Sequence, residues 1–243
     1  MAGNIFSGHS HDDLGFNEQW NACPIGGMAT MPITFDDLSV PKAHDLQKKR
    51  VFDLLVAFVV LVAAAPLMLV ISVIIKATSR GPILFRQPRV GLNGVMFRCY
   101  KFRTMHEAAT DLRAERQTEI ADPRVTAAGH WLRRLSLDEL PQLWNVLKGD
   151  MSLVGPRPHA PATKAAGHVF PDVVPGYDRR HLVRPGITGL AQISGCRGRT
   201  DQVEQILRRV AWDFTYIERM SLWLDVKILW FTVTREIVSA KAF

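Results

Sequence analysis

The most apolar stretch of the chain runs from Leu54 to Ile75 and carries a proline, Pro66, near its middle. About 20 apolar residues suffice for a helix to span a bilayer, and a proline bends a helix because it removes a backbone donor. From Leu54 to Pro66 a helix would rise about 18 Å, little more than half of the ~30 Å hydrocarbon core. The pattern therefore predicts a membrane segment with two courses open: an ordinary spanning anchor, or a re-entrant hairpin that turns at Ala65 and Pro66.

The charges that flank this segment favour the re-entrant course. Lys48, Lys49 and Arg50 precede it, and Lys76 and Arg80 follow it. A spanning helix usually shows its positive charge on the cytoplasmic side alone, so basic residues at both ends predict that both ends are cytoplasmic. A spanning course would also place the large part of the chain after this segment away from cytoplasmic nucleotides.

Downstream, the pattern alternates between short β-prone runs, helical periodicity and loops. Two β-prone runs surround Asn93-Gly94, which is typical of a hairpin, and apolar residues three or four apart predict a helix over 201–219. The last apolar helix contains Trp223 and Trp230 and suits either the core or the headgroup layer of a membrane. The full set comprises strands at 83–85 and 95–102, helices at 104–119, 129–148 with a joint at Pro141, 201–219 and 222–238, and a proline-rich loop region over 156–185.

These elements predict an α+β fold that is mostly α-helical and has three parts. Residues 1–41 form an acidic segment of low periodicity, which we expect to be disordered. Residues 42–80 form the re-entrant membrane helix–break–helix with its basic flanks. Residues 81–243 form a compact cytoplasmic domain, in which we expect a small β-hairpin and amphipathic helices that lie at the membrane interface.

Charge is distributed unevenly along the 243 residues. The net charge is +7, but residues 1–40 carry −5, which leaves +12 for the rest. A basic body beside a membrane segment favours anionic lipid, phosphorylated substrates, or both. Nucleic acid is not expected as a partner, because no basic helix interleaved with aromatic residues and no zinc pattern accompanies the charge. The three cysteines are widely spaced and odd in number, which fits a reducing compartment.

The adjacent carboxylates Asp138 and Glu139 are the leading candidates for chemistry. Neighbouring residues cannot share one face of a helix, but one carboxylate can attack an electrophile while the other turns toward a metal ion or a proton. Arg133 or Arg134, together with a divalent ion, could neutralise the charge that develops at an attacked phosphorus.

A structural role for Glu139 is the alternative. Ser136 and Glu139 have the spacing of a capping box, in which the glutamate merely caps a helix. Pro141 would then lie in the second turn of that helix, where it costs a hydrogen bond, and this weakens the alternative.

Four further cations are candidates for phosphate binding. Arg157 stands between two prolines, which restrict its backbone, and the arginine fork matches phosphate oxygens. Lys101 and Arg103 lie two residues apart and share one face if the stretch is a strand. Arg184 precedes a Pro-Gly turn. Each of these cations could equally be a solvated surface residue on a polar face or a rigid loop.

Taken together, these segments resemble the bacterial sugar transferases, the monotopic polyprenyl-phosphate phosphoglycosyl transferases. The resemblance covers about residues 47–238, and within the family it is greatest to the undecaprenyl-phosphate glucose and galactose phosphotransferases of exopolysaccharide synthesis. The segments that carry it are Lys49–Asp53, Tyr100–Met105, Leu135–Val146, Lys148–Ser152, Gly155–Pro158 and Arg184–Gly189.

The resemblance implies a two-step transfer. Asp138 would attack the β-phosphorus of a UDP-sugar and expel UMP, and undecaprenyl phosphate would then attack the aspartyl-phosphosugar. Glu139, with Asp138, would hold Mg²⁺ or assist proton transfer. Arg133 and Arg157 would position phosphates, with weaker candidates for the same duty in Lys101, Arg103 and Arg184.

The resemblance also implies a setting: the cytoplasmic face of the bacterial inner membrane, with the re-entrant hairpin in the lipid. Glucose is the expected sugar, and galactose or an N-acetylated sugar is the alternative. A homodimer and contacts with downstream glycosyltransferases are further expectations. A rival interpretation from another class is a membrane scaffold without catalytic activity that recruits such transferases; the presence of both Asp138 and Glu139 beside the arginine motifs argues against it.

Overall fold

The computed structural model describes residues 42–106, 118–119 and 122–238, with side chains described as far as residue 234. The predicted acidic segment 1–41 and most of the predicted helix 104–119 lie outside these residues. Over the described part, the fold is mostly helical, with a few short strands and one long apolar helix.

Helix α1 spans Ala43–Thr78 and continues through Pro66. Among the described residues it is the one helix whose length and composition would suffice to cross a membrane, with a mean hydropathy of 3.0 in its most apolar window. The structure thus differs from the predicted helix–break–helix, because Ala65 and Pro66 do not interrupt the helix. A proline removes one hydrogen bond and can bend a helix without ending it. The predicted re-entrant course concerns the membrane and stays a prediction.

Strands β1 (Leu84–Val90) and β2 (Met96–Phe102) form the predicted hairpin. They pair antiparallel, with Leu84 opposite Phe102. A short 3-10 turn at Leu92–Gly94 connects them, and its Asn93 has a φ of 53°, in the left-handed region that asparagine tolerates. Because side chains alternate between the two faces of a strand, the buried Phe102 and its neighbour Lys101 serve different sides of the hairpin.

The remaining elements form the domain against which α1 packs. Its helices are α2 (Ala127–Arg134), α3 (Gln142–Lys148), α4 (Phe170–Val173), α5 (Leu190–Ile193), α6 (Val203–Arg219) and α7 (Leu222–Val238), with 3-10 turns at Leu137–Glu139 and Tyr177–Leu182. Strand β3 (Ser152–Val154) pairs in parallel with β6 (Gly186–Thr188), and β4 (Lys164–Ala165) pairs antiparallel with β5 (His168–Val169).

Most of the predicted elements in this domain are confirmed. The helical region 129–148 has its joint at Pro141, and the helix over 201–219 is present as α6. The beginning of the predicted helix 104–119 is wrong, because Met105 pairs with Val125 in an antiparallel bridge.

The main core lies where α6 meets the short strands and α7. Trp212, Phe214, Tyr216 and Ile217 of α6 are buried there.

Two turns that carry predicted site residues approach each other closely beside this core. A Cβ atom on Gly186 would lie 2.1 Å from the backbone nitrogen of Gly155. Glycine is therefore required for steric reasons at this contact.

The N-terminal half of α1 is fixed to this domain by buried polar contacts. Lys49 Nζ lies 2.6 Å from Asp225 Oδ2, and the hydroxyl of Tyr216 donates to Asp225 Oδ1 at 2.8 Å. Asp53 accepts hydrogen bonds from Ser152 Oγ at 2.7 Å and from a backbone amide of β3. Because a buried charge is costly unless it is paired, these contacts specify how α1 docks.

The C-terminal half of α1 packs on the same domain through apolar contacts. Ile71 and Ile75 form a cluster with Phe102 of β2 and Leu132 of α2. Both halves of the long helix therefore rest on one body. The side chains on the other faces of α1 are mostly apolar and exposed.

Helix α7 has one buried face and one exposed face, so its predicted place in the core is confirmed and its predicted place in the headgroup layer stays a prediction. Leu224 and Ile228 are buried in the core, whereas the side chains of Trp223 and Trp230 are 67% and 68% exposed. One face thus stabilises the domain, and the other presents aromatic side chains of the kind found at membrane interfaces.

Candidate functional site

The 3-10 turn Leu137–Glu139 packs against strand β2 and carries both candidate carboxylates. Ser136, which precedes the turn, has a φ of 52°, and its side chain makes no capping hydrogen bond. The capping role considered for Glu139 is therefore wrong. The turn instead directs Glu139 toward two of the predicted cations.

Glu139 forms a double ion pair. Its Oε1 lies 2.5 Å from Lys101 Nζ and 2.6 Å from Arg157 Nη2, and its Oε2 accepts from Arg157 Nη1 at 3.3 Å. Burial opposes the ionisation of Glu139, but the charges of Arg157 and Lys101 outweigh it and hold the pKa of Glu139 below its usual range. Glu139 is therefore an anion that fixes both cations in place.

Asp138 has the opposite electrostatic environment. Its side chain is buried, and burial raises the pKa of its carboxyl to about 6, with a further upward contribution from Glu139. The charges of Lys101, Arg133 and Arg157 partly offset this increase. Desolvation leaves Asp138 as a carboxylate whose charge is stabilised less than usual, which suits a group that reacts with an electrophile.

Arg133 lies in the last turn of α2, shortly before Asp138 in the chain. Its Nε donates to Thr104 Oγ1 at 2.8 Å. Burial lowers the pKa of Arg133, and the charge of Asp138 is the largest opposing effect. Arg133 is thus held within electrostatic range of the buried carboxylate, and its predicted phosphate contact stays a prediction.

A buried network fixes the loop that carries Arg157. The guanidinium of Arg180 donates to the backbone oxygen of Arg157 at 2.7 Å and to Asp213 Oδ2 at 2.6 Å. It also contacts the hydroxyl of Tyr177 and His159 Nδ1. A guanidinium can only donate, so Nδ1 accepts, and burial lowers the pKa of His159 well below its usual value. Arg180 is a positioning residue that the sequence analysis missed, since no local pattern links residues 157, 180 and 213.

Arg103 and Arg184 are not brought to the Asp–Glu pair. Arg103 Nη2 donates to the backbone oxygen of Ser79 at 2.8 Å, at the end of α1. Arg184 Nε donates to the backbone oxygen of Gly149 at 3.0 Å, beside Arg50. In the described structure both side chains contact the segments around α1, and their predicted phosphate contacts stay predictions.

The two carboxylates of the site differ in how well they suit Mg²⁺. The described residues contain no cluster of three or more His, Cys, Asp or Glu that could hold a metal ion. Mg²⁺ requires fewer protein ligands, since one or two carboxylates usually bind it together with substrate phosphates and water. Asp138 fits this requirement. Glu139 fits it less well, because both of its oxygens already accept from Lys101 or Arg157.

A long apolar helix docked on a small domain, with a buried carboxylate among fixed cations, is typical of a membrane-associated enzyme that acts on phosphates. The chain belongs to the bacterial sugar transferase family, whose profile matches residues 44–239. The long apolar helix and the family together indicate association with a membrane.

The curated relatives carry names of closely related transferases. An "Undecaprenyl-phosphate glucose phosphotransferase" of Komagataeibacter xylinus is 52% identical over 199 residues, which cover 82% of this chain and 37% of the relative. A "UDP-glucose:undecaprenyl-phosphate glucose-1-phosphate transferase" of Klebsiella pneumoniae is 42% identical, with 90% of this chain and 46% of the relative covered.

A third relative differs in the sugar that its name contains. The "UDP-N-acetylgalactosamine-undecaprenyl-phosphate N-acetylgalactosaminephosphotransferase" of Aeromonas hydrophila is 43% identical, with 76% of this chain and 42% of the relative covered. The chain thus spans less than half of the length of these three relatives.

Proposed function

We propose that this protein transfers a sugar 1-phosphate, with glucose 1-phosphate as the first choice, from a UDP-sugar to undecaprenyl phosphate. The observation that carries the proposal is the Asp138–Glu139 pair, in which a buried carboxylate of raised pKa stands beside one that holds Lys101 and Arg157. Cations fixed in this way stabilise a transferring phosphoryl group. The product would begin the repeat unit of an exopolysaccharide.

The proposed chemistry has two displacements. In the first, a carboxylate oxygen of Asp138 bonds to the β-phosphorus, the bond from that phosphorus to the bridging oxygen breaks, and UMP leaves. In the second, a phosphate oxygen of the lipid bonds to the same phosphorus, and the bond to Asp138 breaks. The carboxylate is restored, and polyprenyl diphosphate-sugar is released.

Each residue around Asp138 has a distinct role in this proposal. Lys101, Arg133 and Arg157 face the phosphate oxygens, and Glu139 keeps Lys101 and Arg157 oriented without taking part in bond formation. Mg²⁺, when bound, would supply additional positive charge at the diphosphate. We propose that Asp138 and the substrate phosphates hold it, because the oxygens of Glu139 are engaged.

The contacts of α1 support a re-entrant course with both ends at the cytoplasmic face of the inner membrane. From Asp53 to Ile75 a straight helix rises about 33 Å, slightly more than the hydrocarbon core. Yet Asp53 contacts Ser152 and Ile75 packs with Phe102, both in the domain that carries the candidate site. A polar domain cannot reach both ends of a spanning helix without entering the hydrocarbon, where charges and unpaired backbone groups are expensive.

A groove beside α1 supports a lipid acceptor. It has a volume of about 1110 Å³ and lies between the middle of α1 and β1, where the lining is mostly apolar. Phe102 and Arg103 also line it, and they follow Lys101 directly in the chain. We propose that the isoprenoid chain of the acceptor lies here and that its phosphate approaches the site along β2.

The predicted homodimer and the predicted contacts with downstream glycosyltransferases stay predictions.

One assay separates this proposal from its rivals. The purified full chain in detergent is incubated with UDP-glucose, undecaprenyl phosphate and Mg²⁺, and release of UMP is measured together with lipid-linked sugar. We expect both products in equal amounts with the wild-type protein and neither with Asp138→Asn. A folded wild-type protein that releases no UMP from any UDP-sugar would be a scaffold, and the proposal would be wrong.

A second assay examines the covalent step. With labelled UDP-glucose and no lipid acceptor, the proposal predicts about one UMP per protein and a labelled protein. If the protein stays unlabelled without the acceptor and yet turns over fully when undecaprenyl phosphate is added, direct attack by the lipid would be favoured.

A further inference from the structure

Two further cations, Arg197 and Arg209, lie within electrostatic range of Arg157 and take no part in the mechanism above. The loop between α5 and α6 carries Arg197 and Arg199, and α6 carries Arg209 in its second turn. Arg209 Nη2 donates to the backbone oxygen of Gly198 at 3.0 Å, so that the helix and the loop form one surface.

The guanidinium of Arg209 lacks, within the described part of the chain, a hydrogen-bond partner that a buried cation needs. The residue is 7% exposed, and its Nε is buried with no hydrogen-bond partner among the described residues. A buried donor without an acceptor costs free energy, and Asp213, the carboxylate whose charge acts on Arg209, already accepts a hydrogen bond from Arg180. Its environment therefore favours an anion that is supplied from elsewhere.

The geometry of α6 places this group next to the candidate site. Asp213 lies one turn after Arg209 on the same face of the helix, and Arg180 connects Asp213 to the backbone oxygen of Arg157. The loop that carries Arg157 is thus packed beside the face that carries Arg209. The charge of Arg157 acts on both Arg197 and Arg209, and that of Glu139 also acts on Arg197.

The arrangement fits a diphosphate better than a single phosphate. Lys101, Arg133 and Arg157 surround Asp138, where one phosphorus would be attacked, and Arg197 and Arg209 continue the positive surface beyond Arg157. Arginine forks match phosphate oxygens, and a leaving group with two negative charges needs its own stabilisation.

We propose that Arg197 and Arg209 bind the nucleotide side of the diphosphate of the sugar donor, and that they hold the nucleoside monophosphate after it leaves. Arg209 lies at the base of this subsite, and the exposed Arg197 closes over it. The inference rests on the proposed function for the identity of the ligand, but the binding itself does not require turnover.

The test uses UMP as the probe and the full chain in detergent. Binding of labelled UMP is measured by equilibrium dialysis for the wild-type protein, Arg197→Gln and Arg209→Lys. We expect the two variants to bind UMP about tenfold more weakly, which corresponds to about 1.4 kcal/mol. The KM for UDP-sugar should rise by a similar factor, and the KM for undecaprenyl phosphate should stay unchanged.

Arg199→Gln is the matched control. Arg199 lies in the same loop, is exposed, and pairs with Asp201 at 2.8 Å, so its loss should leave UMP binding and both KM values unchanged. Arg209→Lys keeps a buried charge and removes the fork. Arg197→Gln alters an exposed side chain and keeps the test valid if the Arg209 variant does not fold.

The outcomes separate the two proposals. If UMP binds to the wild-type protein and weakens in both variants while no UDP-sugar is turned over, the subsite stands and the proposed function is wrong. If turnover occurs and folded Arg197→Gln and Arg209→Lys bind UMP as the wild type does, the subsite is wrong. An equal rise in the KM values of both substrates would also overturn it, because general damage to the domain would explain that result.

Discussion

Asp138 and Glu139 are adjacent in the chain, yet the structure shifts their pKa values in opposite directions. Burial raises the pKa of Asp138 to about 6, whereas Arg157 and Lys101 overcome the effect of burial on Glu139 and lower its pKa. Two carboxylates whose environments separate their pKa values can take different chemical roles. Here Asp138 suits the reacting group, and Glu139 suits the permanent anion that orients the cations.

The raised pKa of Asp138 predicts how activity depends on pH. The carboxylate must be ionised to attack phosphorus, so kcat/KM for the UDP-sugar should rise with pH and level off above about 6. Below that value it should fall about tenfold per pH unit, because kcat/KM reports the ionisation of the free enzyme. Initial rates of UMP release at low donor concentration measure this profile. A rate that is independent of pH between about pH 5 and 8 would contradict the assignment.

Asp138→Asn provides the companion prediction. Turnover should fall by several orders of magnitude, as expected when a nucleophile is removed. The free energy of unfolding at neutral pH should not fall and could rise by at most roughly 3 kcal/mol, since ionising a buried carboxyl of raised pKa destabilises the folded state above its unfolded pKa. Chemical denaturation measures this. If the variant were unfolded, its inactivity would reflect the loss of the fold and not the loss of the nucleophile.

Glu139→Gln should affect both the rate and its pH dependence. Without the anion, Lys101 and Arg157 lose their shared partner, and we expect kcat to fall about 100-fold to 1000-fold, as when a preorganised electrostatic group is removed. The charge of Glu139 raises the pKa of Asp138, so its removal should move the midpoint of the pH profile below the wild-type value. Full pH profiles of wild type and variant decide this; a lower rate with an unchanged midpoint would contradict the proposed coupling.

The residues of this site differ in how far sequence reasoning could find them. Lys101, Asp138, Glu139 and Arg157 were candidates because each stands in a motif that resembles the family, and the structure brings Lys101 and Arg157 to Glu139; their catalytic roles stay predictions. Arg180 was missed, because its function depends on contacts with Asp213 and with the backbone of Arg157. Such contacts between distant parts of the chain leave no local pattern.

At the scale of elements, the hairpin depends on local sequence, whereas the course of α1 depends on contacts with distant parts of the chain. The β1–β2 hairpin was predicted correctly because turn residues and β-prone runs determine it locally. The continuous course of α1 through Pro66 was not predicted, since the contacts that hold its two halves come from remote segments such as Asp225 and Leu132. Tertiary contacts also explain Met105, which pairs with Val125 in place of the helix predicted there.

The course of α1 can be tested with single cysteines. In a background where the native cysteines are replaced by serine, Gln47→Cys and Arg80→Cys introduce thiols at exposed positions near the two ends of the helix. A re-entrant course predicts that an impermeant thiol reagent labels neither position in intact cells and both after the inner membrane is permeabilised. Both variants must retain UMP release, which shows that the labelled protein is folded.

Strong labelling of position 80 alone from outside intact cells would show a spanning helix. Pro66→Ala extends the test, because restoring the missing donor should straighten the helix and increase outside labelling at position 80. Contacts of Ile71 and Ile75 with Phe102 oppose this change, so we expect a partial shift rather than a complete one.

At the scale of the whole molecule, the remaining choice is the sugar, and the fold itself does not determine it. Relatives of similar identity carry names with glucose or with N-acetylgalactosamine. Glucose and galactose differ in the orientation of one hydroxyl, and strong discrimination requires a site that hydrogen-bonds that group. We expect UDP-glucose to be preferred over UDP-galactose by at least about tenfold. Equal concentrations of both donors, followed by analysis of the lipid-linked sugar, measure this ratio. A preference for galactose, or for an N-acetylated donor in a parallel competition, would show that the chain shares its reaction with the glucose transferases but not its substrate.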